Sequence, residues 1–193
     1  MELSDSAKAP ARRGRPEIPC LISAPAIAER VGQLGRQISA DYRGRRILVV
    51  GVLKGAWVFM ADLVRQLRVP TQCDFVQLSS YGTDRVSSGR IELLHDITLV
   101  AEGEHVLLVE DLLDTGLSTK WLRDHLRAKK PASLCVCVLL DKPARRSVPV
   151  TADYVGFEIP DRFVVGYGID YAQAYRELPY VGYIPEDDQT PER

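Results

Sequence analysis

Apolar residues in this chain come in short dense runs, separated by stretches of helical spacing. Ile47 to Val52, Val106 to Val109 and Leu134 to Leu140 are such runs. Continuous runs of this length read as strands covered on both faces of a parallel sheet. Between the runs the period changes. Ile27, Val31, Leu34 and Ile38 fall on one face of a helix predicted from about Ala24 to Tyr42, with Ser23 as N-cap and Pro25 in its first turn. A second helix is expected from just after Gly55 to Leu67. A third is expected where Trp121, Leu122, His125 and Leu126 recur. Ile18 to Ile22, Thr71 to Ser79 and Ile91 to Leu94 read as shorter strands, and two more strand-like runs bracket glycines before Asp170. Strands alternating with helices predict an α/β fold with a mainly parallel sheet flanked by helices. In such sheets ligands lie beyond the carboxyl ends of the strands.

The pattern stops near both ends. Residues 1–17 are polar and Pro/Arg-rich, which predicts a disordered tail, and 185–193 read as a second polar tail. Residues 18–184 are then one domain. Inside it, Ser79 to Arg90 is a long Gly/Ser-rich polar stretch, the mark of a lid or a disordered segment.

Composition narrows the class. The 193 residues are 46% hydrophobic and 26% charged, with a formal net charge of −1. That balance describes a soluble globular protein and argues against nucleic-acid or anionic-membrane binding. Arg12-Arg13-Gly14-Arg15-Pro16 resembles an AT-hook core, but a single arm offers few phosphate contacts, so a solvated tail is the preferred reading. No apolar run approaches the ~20 residues that span a bilayer, and no signal-peptide core follows the N-terminus. The expected compartment is the cytoplasm. Cys20, Cys73, Cys135 and Cys137 lack zinc-site spacing, and the last two share a strand face as small hydrophobes. His95 reads as a surface or turn histidine.

The chemistry centres on the stretch from Leu107 to Thr119. Glu110 and Asp111 stand where the strand is expected to end, and Asp114 opens a Thr/Gly/Ser-rich turn before a helix. The amides of Thr115, Gly116, Leu117, Ser118 and Thr119, with the three hydroxyls among them, suit a phosphate monoester. Ionised carboxylates only accept hydrogen bonds, so Glu110 and Asp111 suit the hydroxyls of a sugar. Together these describe a ribose 5-phosphate site; the bland alternative is a strand-to-helix loop with exposed acids. Neither G-x-x-x-x-G-K-[ST] nor G-x-G-x-x-G occurs, so ATP P-loop and dinucleotide sites lack their fingerprints. Val52-Leu53-Lys54-Gly55-Ala56 forms a second strand-loop-helix junction with a cation at the turn.

Val109-Glu110-Asp111-x-x-Asp114-Thr115-Gly116 resembles the diphosphate-sugar motif of the type I phosphoribosyltransferases. Leu-Leu-Asp-Lys-Pro to residue 143, Val-Gly-Phe-Glu-Ile-Pro-Asp to 161, Phe-Val-Val-Gly-Tyr-Gly-Ile-Asp-Tyr to 171 and Tyr-Arg-Glu-Leu-Pro-Tyr to 180 resemble the hypoxanthine (hypoxanthine-guanine) branch of that family. The resemblance covers about residues 18–184. It implies the type I fold with a small C-terminal hood from about 150 to 184. It implies purine salvage: ribose 5-phosphate moves from 5-phosphoribosyl 1-diphosphate (PRPP) to N9 of hypoxanthine or guanine. Pyrophosphate and IMP or GMP are the products, and Mg²⁺ is the cofactor. The family forms homodimers and homotetramers.

By the same resemblance, Glu110 and Asp111 hold the ribose hydroxyls directly or through Mg²⁺, and Asp114 is general base or proton relay at purine N7. Residues Thr115 to Thr119 bind the 5-phosphate; Lys54, Gly55 and Arg176 bind pyrophosphate. Lys142 donates to purine O6, Phe163 stacks on the ring, and Val164 offers backbone groups to its edge. Asp170 counts among the purine-binding residues and binds Mg²⁺ on the pyrophosphate side. Ser80 and Tyr81 belong to a lid, and Arg146 matches a family arginine of the site. The Leu-Lys-Gly loop often holds a non-proline cis peptide; here Ala56 stands where many relatives have a second glycine, which predicts a less permissive backbone. The residues alone leave plainer readings open: Phe163 as a core aromatic, Arg176 as a surface cation, Lys142 as a solvated strand-end cap. A PRPP-binding regulator and a phosphoribosyltransferase for another base are the rival functions.

Overall fold

The computed structural model describes residues 17–80 and 91–185. The expected tails 1–17 and 185–193, apart from Glu17 and Pro185, lie outside the described residues, as do the Arg12–Pro16 arm, Tyr81 and the rest of the lid; Ser80 ends a strand.

The main sheet has six strands: β2 (Ile47–Leu53), β3 (Thr71–Ser80), β4 (Ile91–His95), β5 (His105–Leu113), β6 (Ser133–Asp141) and β7 (Tyr154–Glu158). Their spatial order is β4-β3-β2-β5-β6-β7, all parallel except the antiparallel edge strand β4. The apolar runs become its centre: Leu48, Val50, Val106, Leu108, Val136 and Val138 face one side, while Val49, Leu107, Val109, Cys137 and Leu139 face the other. Helices α1 (Ala24–Asp41) and α2 (Trp57–Gln66) pack on the second side, and α3 (Leu117–Ala128) covers the first. Every expected helix is present. Ser23 caps α1 by accepting the Ala26 amide at 3.4 Å, with Pro25 in the first turn.

A small antiparallel sheet, β1-β9-β8, sits apart from the main one. It joins β8 (Val164–Val165) and β9 (Val181–Tyr183) to β1 (Cys20–Ile22) from the other end of the chain. The hood is therefore not purely C-terminal. Residues Tyr154 to Glu158, expected within it, instead pair with β6 as the sixth main strand. Arg30 on α1 fastens that strand by donating to the carbonyls of Val155 (2.7 Å) and Gly156 (2.8 Å).

Candidate active site

The strand order reverses between β2 and β5, and the loops after these two strands flank the reversal. That crevice is the usual ligand site of an open α/β sheet. Against the expectation from sequence, the acidic pair does not end its strand. β5 runs through Glu110 and Asp111 to Leu113, because β6 continues to pair with it at Leu140 and Asp141. A carboxylate side chain costs the backbone ladder nothing.

Alternation along β5 then sends the two acids to opposite faces of the sheet. Glu110, 3% exposed, turns toward α3, where its Oε2 accepts the Thr119 hydroxyl at 2.9 Å. Its Oε1 is buried with no hydrogen-bond partner among the described residues. Burial pushes the Glu110 carboxyl up to about 8, with the Thr119 bond opposing and the charge of Asp111 adding. Asp111 turns the other way, onto the Lys54-Gly55 loop. A Cβ on Gly55 would lie 1.9 Å from Asp111 Oδ2, so only glycine permits this approach. Burial pushes Asp111 up to about 6, against its own amide, the Leu112 amide and the charge of Arg176, with Asp170 adding.

The hood closes on the same loop. A Cβ on Gly168 would lie 2.3 Å from the Gly55 carbonyl oxygen. Arg176 donates to the Gly168 carbonyl at 2.8 Å and pairs with Asp170 at 2.6 Å, while the other Asp170 oxygen accepts the Gln173 amide at 2.9 Å. Arg176 is thus a part-buried clamp rather than a surface cation. Lys54 is exposed, and the Leu53–Lys54 peptide is cis. Ala56 causes no difficulty: its φ of −78° suits any residue, and its amide donates to the Val52 carbonyl at 3.2 Å.

On the α3 side, Gly116 caps the helix at φ +85°, a conformation that favours glycine. The Thr115 hydroxyl accepts the Leu117 amide at 3.4 Å, and Ser118 is exposed. First-turn amides have no partner within their own helix, which leaves this turn suited to an anion. Thr119 departs from expectation. Its hydroxyl is buried on Glu110, so in this state it does not point to the phosphate position.

The third group lies beyond β6. Lys142 is only 5% exposed, which excludes the solvated strand-end reading. Burial lowers the proton affinity of its ammonium, Asp114 and Asp161 raise it, and Arg145 lowers it again. Phe163 is 42% exposed and meets the edge of Tyr171 at 5.3 Å, so it is not a core aromatic. Val164 is buried on β8, an edge strand of the small sheet. Arg146 donates to the carbonyls of Leu113 and Asp114 and pairs with Asp141, tying the ends of β5 and β6 together. Arg162 lies over the Tyr183 ring at 4.4 Å.

Sequence reasoning gave no role to Arg145 or Asp161. Arg145 Nε meets Asp114 Oδ1 at 3.1 Å, and its Nη1 lies 3.6 Å from Asp161 Oδ2. The available signal was the Arg145-Arg146 doublet directly after Lys142.

A divalent cation would find hard oxygen donors in Asp111 and Asp170, which feel each other's charge. Glu110 faces the other side of the sheet, so the expected three-carboxylate set is not assembled. Among the described residues no group of three or more His, Cys, Asp or Glu could hold a metal. Mg²⁺ does not need one, since it takes one or two carboxylates and fills its octahedron with water and substrate phosphate oxygens. The residues fit that mode of binding.

Comparison with known proteins follows the same lines. Residues 21–172 match the family described as phosphoribosyl transferase domain. The hypoxanthine phosphoribosyltransferase of Haemophilus influenzae is 47% identical over 167 residues, covering 85% of this chain and 93% of that protein. The bifunctional protein TilS/HprT of Listeria innocua is also 47% identical over 164 residues, but this chain spans only 25% of its length. The crystal structure of a hypoxanthine-guanine phosphoribosyltransferase from Bacillus anthracis, with HEPES in its active site, superposes with a TM-score of 0.84. It is 46% identical, covering 88% of this chain and all of that one.

Proposed function

From a chain that belongs to the phosphoribosyl transferase family, we infer a purine-salvage enzyme that moves ribose 5-phosphate from PRPP to N9 of hypoxanthine or guanine. The products are pyrophosphate and IMP or GMP. The observation that carries this reading is the close approach of Gly55 to Asp111 and of Gly168 to Gly55, which joins the loop after β2, the acid on β5 and the hood into one crevice. Likeness to the hypoxanthine phosphoribosyltransferases supports a cytoplasmic homodimer or homotetramer. No described helix is long and apolar enough to cross a membrane.

In the reaction the C1–oxygen bond to pyrophosphate breaks, the electron pair leaves with pyrophosphate, and N9 bonds to C1. The sugar passes through an oxocarbenium-like state, as in glycoside hydrolysis, and no protein nucleophile is needed. Lys54 and Arg176 meet the charge that builds on the leaving group. Asp111 orients the ribose hydroxyls from the α2 side. The turn from Thr115 to Ser118 holds the 5-phosphate, with the backbone amide of Thr119 in the same first turn. Glu110 supports that turn from below through Thr119. Lys142 donates to O6, Phe163 packs on the ring, and Val164 presents backbone groups on an edge strand. Asp114 receives the proton that the purine loses. Asp111 and Asp170 would hold Mg²⁺, which when bound would neutralise charge on the pyrophosphate.

The test is turnover with PRPP and a panel of bases, following nucleotide and pyrophosphate together. Hypoxanthine and guanine should react and adenine scarcely at all. PRPP binding without turnover of any base would overturn the enzymatic reading and favour a regulator.

A further inference from the structure

Four charged side chains meet beside the purine position: Lys142 and Arg145 on the segment after β6, Asp114 at the end of β5, and Asp161 ahead of the hood. Lys142 is buried, whereas the side chain of Arg145 is 46% exposed and bridges the two acids from the solvent side. Its position relative to Lys142 is set by a single 3₁₀ turn, Pro143–Arg145, in which the Arg145 amide donates to the Lys142 carbonyl at 3.1 Å. Resting on the reading above, we propose that Arg145 is a positioning residue that holds Asp114 and Asp161 off the Lys142 ammonium, leaving that ammonium available to the purine O6.

The two acids and the purine O6 compete for one ammonium. Lys142 has three donors and sits within the field of both acids. An ammonium attracts an ionised carboxylate more strongly than a neutral carbonyl, so an acid free to approach Lys142 would draw the ammonium toward itself and turn its remaining donors away from O6. Arg146, the other cation here, is committed to Asp141 and to the carbonyls of Leu113 and Asp114. Among the described residues Lys142 is a cation that feels both acids, so with Arg145 gone they are free to turn to it. The planar fork of arginine serves two carboxylates at once, Nε to one and Nη1 to the other. A lysine at 145 is a point charge and would do so only in part.

The experiment measures KM for hypoxanthine and for PRPP separately in wild type, Arg145→Ala, Arg145→Lys and the double variant Arg145→Ala/Asp161→Asn. Arg145→Ala should raise the hypoxanthine KM about five- to twentyfold while the PRPP KM stays within about twofold. Arg145→Lys should recover part of the loss. Asp161→Asn in the alanine background should recover part as well, since one competitor for Lys142 is gone. A purely structural role would show neither the split between substrates nor the second-site recovery. An unchanged hypoxanthine KM in Arg145→Ala, a parallel rise for both substrates, or no recovery in either rescue variant overturns the proposal. A wild type that turns over no purine at all overturns the functional reading and the proposal with it.

Discussion

Gly55→Ala is a small change with a large expected consequence. The added Cβ would fall 1.9 Å from Asp111 Oδ2, 2.4 Å from its Cγ and 2.9 Å from its Oδ1. Since real Cβ contacts essentially never fall under 3.0 Å, the loop or the carboxylate must move by roughly 1 Å. Asp111 has little freedom, because its backbone is paired with β6 on through Leu113 and its carboxylate accepts its own amide and that of Leu112. The loop has little more, because Gly168 leaves only glycine-sized space against the Gly55 carbonyl. Overpacking of this kind costs about 1–3 kcal/mol. At about 2–4 °C per kcal/mol for a chain of this size, the melting temperature should fall by roughly 2–12 °C. Activity should suffer more than stability. A misplacement of about 1 Å in a substrate-positioning group can cost on the order of 10²-fold. The assay is kcat/KM for PRPP at saturating hypoxanthine, with a thermal melt of the same preparation. Full activity in a stably folded Gly55→Ala protein, or a defect confined to the purine KM, would refute the placement of Asp111 and this loop around the sugar and pyrophosphate.

Asp111→Asn keeps the shape and removes the charge; a charge-assisted hydrogen bond contributes about 1.5–3 kcal/mol, so kcat/KM for PRPP should fall roughly ten- to a hundredfold. An unchanged value would count decisively against the assignment. Lys142→Ala should lose most 6-oxopurine activity with PRPP affinity near normal, and the hypoxanthine-to-adenine ratio of kcat/KM should collapse; a constant ratio removes Lys142 as the reader of O6. Asp74, 8% exposed, accepts the amides of Phe75, Thr98 and Leu99 at 2.7–2.8 Å and the Thr98 hydroxyl at 3.2 Å. Burial alone would raise its carboxyl, but these donors outweigh it and leave it below the usual carboxylate range. A depressed folded-state value stabilises above the ordinary range near pH ~4, and that stability is lost as pH falls through it. Asp74→Ala should therefore destabilise by about 1.5–3 kcal/mol in urea at pH 7 and by clearly less near pH 3; an equal gap at both would refute the charge argument.

The fold was legible where period decides it. Runs such as Ile47 to Val52 and Val106 to Val109 read as strands buried on both faces because they are too short for a helix, and α1 announced itself through Ser23, Pro25 and the Ile27–Ile38 stripe. What local pattern could not show is which strand pairs with which. β1 joins β9 across nearly the whole chain, and Tyr154 to Glu158 joins β6 rather than the hood. Both outcomes depend on long-range partners, and three- to five-residue strands carry too little pattern to name them.

The site was legible as a set of residues and not as an arrangement. Glu110 and Asp111 are neighbours in sequence, which invites one shared role, yet a strand that continues through them must turn them to opposite faces. The consequence is a division of labour. Asp111 meets the loop that only glycine allows to approach, with Arg176 and Asp170 behind it. Glu110 meets Thr119 and so links the sheet to the first turn of α3, where an anion would sit. A carboxyl pushed up by burial, with one oxygen lacking a partner among the described residues, is an uncomfortable prop for that turn. It becomes reasonable once a ligand supplies the missing partner. On the proposed function, the motif becomes two half-sites on either side of one strand, Asp111 toward the pyrophosphate and Glu110 toward the 5-phosphate, with the ribose spanning the strand end between them.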